Sequence, residues 1–277
     1  MKREDVKIFQ LCHKQVEYGF VDDDVVTPLE VGADVCDNNV CVTKDNTGDN
    51  ISALNEFYTE DTGLYWIWKN VNCKYKGQMQ YRRRLAGISD LDFDDIFEEQ
   101  GMRAIIAYPM DLAWLYYIPE LTLETQYLIA HNIRDLYLME EIVKEWWPDY
   151  AEDYDRYIKH GKNILYSNGF VMRQSDYDHY CSMLFSMLYE WLWRKGFLNE
   201  RDMIEQVKKY VYDSILSGDI SNATMDVWHR GDMDYCIKYQ SRIGGSLAER
   251  FFTLYAYHNF KDRIYFVDYD KPEGNKL

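Results

Sequence analysis

Residues 47–84 read TGDNISALNEFYTEDTGLYWIWKNVNCKYKGQMQYRRR, a helix pattern followed by a strand pattern. Asn55 is a residue type that caps helices, and Glu56 and Glu60 suit the positive end of a helix dipole, so Asn55–Asn70 reads as one helix. Phe57, Leu64, Tyr65 and Trp68 recur at helical spacing and mark its inner face. Tyr75, Gly77, Met79 and Tyr81 then alternate with polar residues, which is the period of a strand. Three guanidinium groups, Arg82, Arg83 and Arg84, stand in a row just beyond it.

Working outward, Val6–Cys12 is an apolar run of strand length, and so is Met102–Tyr108, which Pro109 ends. Ile164–Met172 reads as a strand interrupted by Asn168-Gly169, and Ile264–Val267 as a short last strand. Leu123–Trp146 has a helical pattern bounded by Pro148. Ser175 and Asp178 resemble a capping box that opens a helix through Trp193. Asn199–Ser217, stopped by Gly218, and Gly245–His258 complete the helices. Strands and helices alternate in the first half and helices dominate the second, so the expectation is an α/β fold with a mainly helical C-terminal part. With no internal repeat and no linker rich in Gly, Pro or Ser, residues 1–277 are expected to form a single domain.

The formal charge of −16 excludes broad nucleic-acid binding, which needs cations to displace counterions, and unaided docking on an anionic membrane. No run of apolar residues is long enough to span a bilayer, and the start of the chain lacks a signal-peptide pattern, so no membrane span and a cytoplasmic location are expected. The six cysteines include no CxxC pair and read as reduced, mostly buried thiols. The 25 tyrosines read mainly as core and rim residues, with a share left for stacking on a ligand.

Composition stops at a soluble α/β domain. The ordered set Thr47-Gly48-Asp49-Asn50-Ile51-Ser52, Leu64-Tyr65-Trp66-Ile67-Trp68-Lys69-Asn70, Gly77 and Tyr81-Arg82-Arg83 goes further. It resembles the signature of the capsular-polysaccharide-type glycosyltransferase family catalogued as domain of unknown function four-four-two-two. His13-Lys14, Pro28–Ala33, Gln126-Tyr127 with His131, Pro148-Asp149-Tyr150, Asn168-Gly169-Phe170 and Arg242 through Glu249-Arg250 follow in the order of that family, so the resemblance covers nearly the whole chain. It implies a GT-A-like, Rossmann-related mixed sheet flanked by helices. It also implies a nucleotide-sugar donor, with UDP as the nucleotide, and transfer to an oligosaccharide or lipid-linked glycan of capsule or lipopolysaccharide. Galactofuranose is one donor option, and peripheral association with a polysaccharide assembly complex is a further implication. Relatives carry His before Tyr-Arg-Arg where this chain has Gln80, which keeps a non-catalytic carbohydrate- or nucleotide-sugar-binding protein as the alternative.

The candidate site residues follow from chemistry and from that resemblance together. Arginines at the C-terminal end of a strand would hold a leaving diphosphate in bidentate geometry; the alternative is a basic turn paired with Asp90–Asp95. His13, Lys14, Tyr81, Arg82 and Arg83 are therefore donor-site candidates. Thr47, Asp49 and Asn50 join them as a turn suited to ribose or phosphate, or else as an ordinary helix cap. Asn168 and Gly169 would line a sugar pocket or form a bulge, and His131 and Arg250 are further sugar or acceptor candidates. Deprotonating an acceptor hydroxyl calls for a carboxylate, and Glu249 is the first candidate, ahead of Asp111 and Asp149, unless it is a structural ion pair with Arg250. The Asp-x-Asp spellings at Asp22–Asp24 and Asp90–Asp94 end no apolar strand and read as solvated loop carboxylates, so no metal ligand is assigned and dependence on Mg²⁺ or Mn²⁺ stays open.

Overall fold

The structure is a computed structural model and describes residues 5–15, 19–36, 38–166, 169–197, 199, 201–220 and 232–270. In chain order its elements are β1 (Val6–Cys12), β2 (Val26–Glu30), β3 (Thr43–Lys44), α1 (Asn55–Tyr58), α2 (Asp61–Asn70), β4 (Tyr75–Gln80), β5 (Arg84–Leu85), β6 (Ala104–Ala107), β7 (Met110–Asp111), α3 (Leu112–Leu115), α4 (Leu123–Ala130) and α5 (Ile133–Trp146). These are followed by α6 (Ala151–Tyr154), β8 (Asn163–Ile164), β9 (Gly169–Arg173), α7 (Gln174–Arg194), α8 (Met203–Leu216), α9 (Met233–Gln240), α10 (Ile243–Phe260), β10 (Ile264–Val267) and β11 (Tyr269–Asp270).

Seven strands form one mixed sheet in the order β10-β6-β9-β4-β1-β2-β3. The pairs β1–β2, β1–β4, β2–β3 and β6–β10 are parallel, while β9 runs antiparallel to both of its neighbours. Alternate residues of each strand feed two cores, one on each face. Phe9, Leu11, Ile106, Phe170 and Met172 join the larger core with α2, α5, α7 and α10. Val6, Ile8, Ile105 and Val171 join the smaller one with Phe93 and Phe97. The α/β expectation with a helical C-terminal part is met.

The strand expected from the alternation at Tyr75–Tyr81 forms as β4, and all six of its residues, the polar ones included, are buried because the strand is central. Lys76 is tolerated there through an ion pair of 2.7 Å to Asp178 and a bond to the Val71 carbonyl. Gly77 is required by its neighbour: a Cβ at this position would lie 2.2 Å from the Phe170 carbonyl oxygen of β9.

Two expected helices are broken, and each break serves the cleft described below. Asn55–Asn70 is two helices, because Thr59 adopts φ 55° and ψ −129°, a conformation that costs a β-branched residue about 1–3 kcal/mol. Asn55 does not cap; its amide donates to the Thr59 carbonyl at 2.6 Å and steadies the break. The inner face of α2 is Asp61, Thr62, Gly63, Leu64 and Ile67 rather than Tyr65 and Trp68. Leu123–Trp146 likewise divides at His131, where the extended backbone ends α4 and the Asn132 side chain caps α5. The capping box expected at Ser175 does not form: α7 starts at Gln174, whose N–H donates to the Lys74 carbonyl.

Cys12, Cys181 and Cys236 are buried and Cys36 is exposed; all six cysteines are free, and the Cys12 and Cys41 sulfurs meet at 2.7 Å. Among the described residues no helix is long and apolar enough to cross a membrane.

Candidate functional site

The chain starts at β1, moves outward through β2 and β3, and then returns to β4 on the other side of β1. In such sheets the carboxyl ends of the strands at the reversal open a crevice. Here His13 and Lys14 follow β1, and Gln80 to Arg83 end β4, side by side. Two cavities of about 390 and 440 Å³ occupy the crevice and share Thr59, Glu60, Arg82, Tyr239 and Arg242, so they form one continuous cleft. Helices α9 and α10 form its far wall, through Tyr235, Lys238 and Tyr239 on one and Gly245, Ser246, Glu249 and Arg250 on the other.

The cavity on the β1 side is lined by His13, Lys14, Tyr81 and Arg82, with Val31 and Val35 adding apolar surface. His13 sits edge-on to Tyr81 at 5.3 Å, and the Arg82 guanidinium lies 5.3 Å from the same ring. Burial lowers the His13 pKa below its ordinary value, and the Glu60 charge offsets only part of this. A planar ligand with an anionic tail suits such a wall: aromatic and apolar surface at one end, cations at the other.

The cavity on the α10 side interleaves Arg82, Arg83, Arg242 and Arg250 with Glu60, Asp61 and Glu249. Arg83 lies over the Tyr166 ring at 4.3 Å. Gln80 donates to Glu60. Arg250 is 3% exposed; it donates to the Ser246 carbonyl at 3.0 Å, to Glu249 at 3.1 Å and to Gln126, and among the described residues its Nε has no partner. Glu249 is 26% exposed, and burial raises its pKa against the opposing pull of the Arg250 charge. Asp61 is 3% exposed, and its pKa is pushed well above its ordinary value by burial, then by the Glu60 and Glu249 charges. His131 contacts Gln240 at 3.0 Å and Ser246 at 3.3 Å; burial first, then Arg250, hold its pKa down at about 4. Burial pushes the Tyr166 and Tyr239 hydroxyls up to about 12, so both remain donors.

The structure therefore brings His13, Lys14, Tyr81, Arg82, Arg83, His131, Glu249 and Arg250 to one cleft. It places Thr47, Asp49 and Asn50 elsewhere. The Trp66 indole donates to the Thr47 carbonyl, Tyr65 donates to Asp49, Asn70 bonds the Asp49 backbone in both directions, and Asn50 donates to the Gly48 carbonyl. The loop is thus clasped to the outer side of α2. Gly169 packs near Leu85 and Tyr269 and does not line the cleft, while Asn168 lies outside the described residues. Asp111 caps α3 and Asp149 is exposed away from the cleft. Arg84 turns aside to the Gly19 carbonyl, and Asp94, one expected partner of the arginines, instead pairs with Lys74.

Glu60, Asp61, Tyr166 and Tyr239 are cleft residues that sequence reasoning passed over. Thr59-Glu60-Asp61 reads as acids suited to a helix start, and only the positive φ at Thr59 turns them inward. Outside the cleft mouth, next to its lining residue Tyr116, Trp114 is 72% and Tyr117 87% exposed, and Tyr117 also holds a positive φ of 57°.

The family model described as Domain of unknown function (DUF4422) matches residues 7–232. The chain belongs to this family. Its fold is shared with the apo structure of the bifunctional glycosyltransferase WbbM, with a TM-score of 0.66 and 23% identity. That likeness covers 96% of this chain and 45% of the other, so the chain spans less than half of that protein's length. No curated protein matches the chain significantly. The mixed seven-stranded sheet with flanking helices is accordingly GT-A-like, as the resemblance implied.

Chemically, the cleft sets arginines where an anion would rest and carboxyls of raised pKa beside them. Among the described residues no group of three His, Cys, Asp or Glu side chains is arranged to hold a metal ion. In the cleft itself, Glu60 is engaged by Gln80 and Glu249 by Arg250.

Proposed function

We propose that this chain is a glycosyltransferase that moves a sugar from a nucleoside diphosphate, uridine-linked, to a saccharide acceptor in the cytoplasmic synthesis of bacterial capsule or lipopolysaccharide. Galactofuranose is the specific donor option. The observation that carries the reading is Arg82 and Arg83 at the carboxyl end of β4, facing a cleft at the reversal of strand order in a chain of net charge −16. The base and ribose occupy the cavity of His13 and Tyr81, the diphosphate lies against Arg82 and Arg83, and the sugar points toward Glu249, Arg250 and His131. As the bond from sugar to phosphate breaks, negative charge grows on the diphosphate, and the preorganised guanidinium groups stabilise it without reorganising. A carboxylate of the α10-side wall, Glu249 among them, accepts the acceptor's proton. The acceptor, an oligosaccharide or a lipid-linked glycan, enters past Tyr116.

The test is release of UDP from a panel of UDP-sugars, with and without Mg²⁺ or Mn²⁺, by the wild type and by Arg83→Ala. We expect UDP release with at least one donor, lowered about 10-fold or more in the variant through weaker donor binding. Binding of UDP-sugars with no turnover across donors and acceptors contradicts the enzyme reading and favours a nucleotide-sugar-binding protein.

A further inference from the structure

Five carboxylate side chains are buried among the described residues: Glu30, Asp45, Asp61, Asp135 and Asp176. Four are plainly structural. Glu30 accepts the N–H groups of Asn38, Val40 and Cys41. Asp45 accepts from Gly32, Ala33, Ser52 and Thr62. Asp135 holds Lys195 and Tyr210, and Asp176 holds Arg103. Among the described residues the Asp61 side chain makes no hydrogen bond and no ion pair, yet it is as buried as the others and lines the cleft. A buried carboxyl without a partner is unfavourable for folding and calls for an explanation in function.

Its position is imposed, not incidental. Thr59 takes its positive φ two residues before Asp61, and the Thr62 backbone N–H and the Asn55 side-chain amide both donate to the Thr59 carbonyl. From the other side α10 closes in through Gly245, where a Cβ would lie 2.2 Å from the Thr59 hydroxyl. Glu249 is one helical turn beyond Gly245, so the same close approach brings Asp61 and Glu249 to one cavity.

We propose that Asp61 is the base that takes the acceptor's proton, and that Glu249, held by Arg250, orients the same hydroxyl. The assignment rests on the glycosyl-transfer reading above. The acceptor oxygen forms a bond to the donor sugar's anomeric carbon. The bond from that carbon to the phosphate oxygen breaks, and its electron pair leaves with the nucleoside diphosphate beside Arg82 and Arg83. The hydroxyl proton passes to the Asp61 carboxylate and then to water. One displacement of this kind inverts the anomeric centre. The groups facing Asp61 are Glu60 beside it, Glu249 on α10, and Tyr177, Tyr180 and Cys181 on α7. None of these is a cation, while Arg82, Arg83, Arg242 and Arg250 line the same cavity, and among the described residues the Tyr177 and Tyr180 hydroxyls make no hydrogen bond. The raised pKa makes the ionised carboxylate a stronger base than an exposed Asp.

The deciding experiment compares the wild type, Asp61→Asn and Glu249→Gln by thermal midpoint, by stabilisation with UDP, and by UDP release from UDP-sugar. A folded-state pKa above the unfolded one makes the carboxyl destabilising above the unfolded value. Asp61→Asn should therefore raise the midpoint at neutral pH, and the gain should vanish toward pH 4. The variant should retain stabilisation by UDP and lose roughly 100-fold or more of turnover. Glu249→Gln should lose less. In the wild type, the acid limb of kcat/KM should fall at a pH above the ordinary Asp range, a readout that requires no substitution. A lowered midpoint in Asp61→Asn would reveal a structural carboxyl, for example one anchoring Tyr180, and turnover within threefold of wild type would exclude the base; either overturns the proposal. Failure of the transferase reading has a different signature, a wild type that no nucleotide stabilises, and the Asp61 assignment falls with it.

Discussion

His131 sits between Gln240 and Ser246 at the end of α4, with Arg250 as its nearest source of repulsion once protonated. Its pKa of about 4 lies below the ordinary 6.5, so the folded chain prefers the neutral ring. The stability this group contributes is complete above pH 6.5 and is lost as pH falls from there through about 4. Across that window the loss should be on the order of 2 kcal/mol. His131→Gln should flatten the acid side of the stability profile, as read by urea midpoints at pH 4.5 and 7.5. At this scale the sequence was legible where a residue type is rare for its setting: a run of arginines in an acidic chain, or Glu249 beside Arg250. Asp61 was not legible, because an acid after Thr59-Glu60 has an ordinary explanation at a helix start, and burial without a partner is a property of three dimensions. The clasp of Asp49 to Tyr65 and Asn70 was equally invisible, since nothing in a Thr-Gly-Asp-Asn turn says which side of a helix it will meet.

Among elements, the consequential contacts are made through glycine. Gly245 of α10 touches Thr59 so closely that Gly245→Ala must push α10 off the break between α1 and α2. The substitution should cost about 1–3 kcal/mol, measured by denaturant unfolding, and lower turnover with it as Glu249 moves away from Asp61. Gly169→Ala offers the contrast: its new Cβ would meet Leu85 at 3.5 Å, an ordinary contact, so the midpoint should change little. The proposed entry of the acceptor past Tyr116 is tested at the exposed residues beside it. Trp114→Ala and Tyr117→Ala should weaken use of a saccharide acceptor, read as a raised acceptor KM, while leaving stabilisation by UDP unchanged. Equal behaviour of variant and wild type toward every acceptor tested would remove that role. Helices and strands were legible from their periods, since α7, α8, α10, β1 and β10 fall close to the expected places. The breaks at Thr59 and His131 were not, because hydrophobic period continues across a residue whose backbone has turned. Those two turns face side chains into the cleft.

For the molecule as a whole, the sheet order decides where chemistry can occur. The return of the chain from β3 to β4 leaves the ends of β1 and β4 adjacent, and the arginines of that crevice are the site proposed for an anion. Alternation of strands and helices made an α/β fold legible, and the ordered family motifs carried the GT-A-like form. The strand order itself required tertiary pairing. The crevice is proposed to bind a nucleoside diphosphate. Calorimetric titration of UDP into the wild type and into Arg82→Ala/Arg83→Ala, with and without Mg²⁺ or Mn²⁺, tests it most directly. Binding by the wild type should be saturable and should weaken about 100-fold in the folded double variant. Absence of UDP binding by the wild type, or undiminished binding by the double variant, would contradict it.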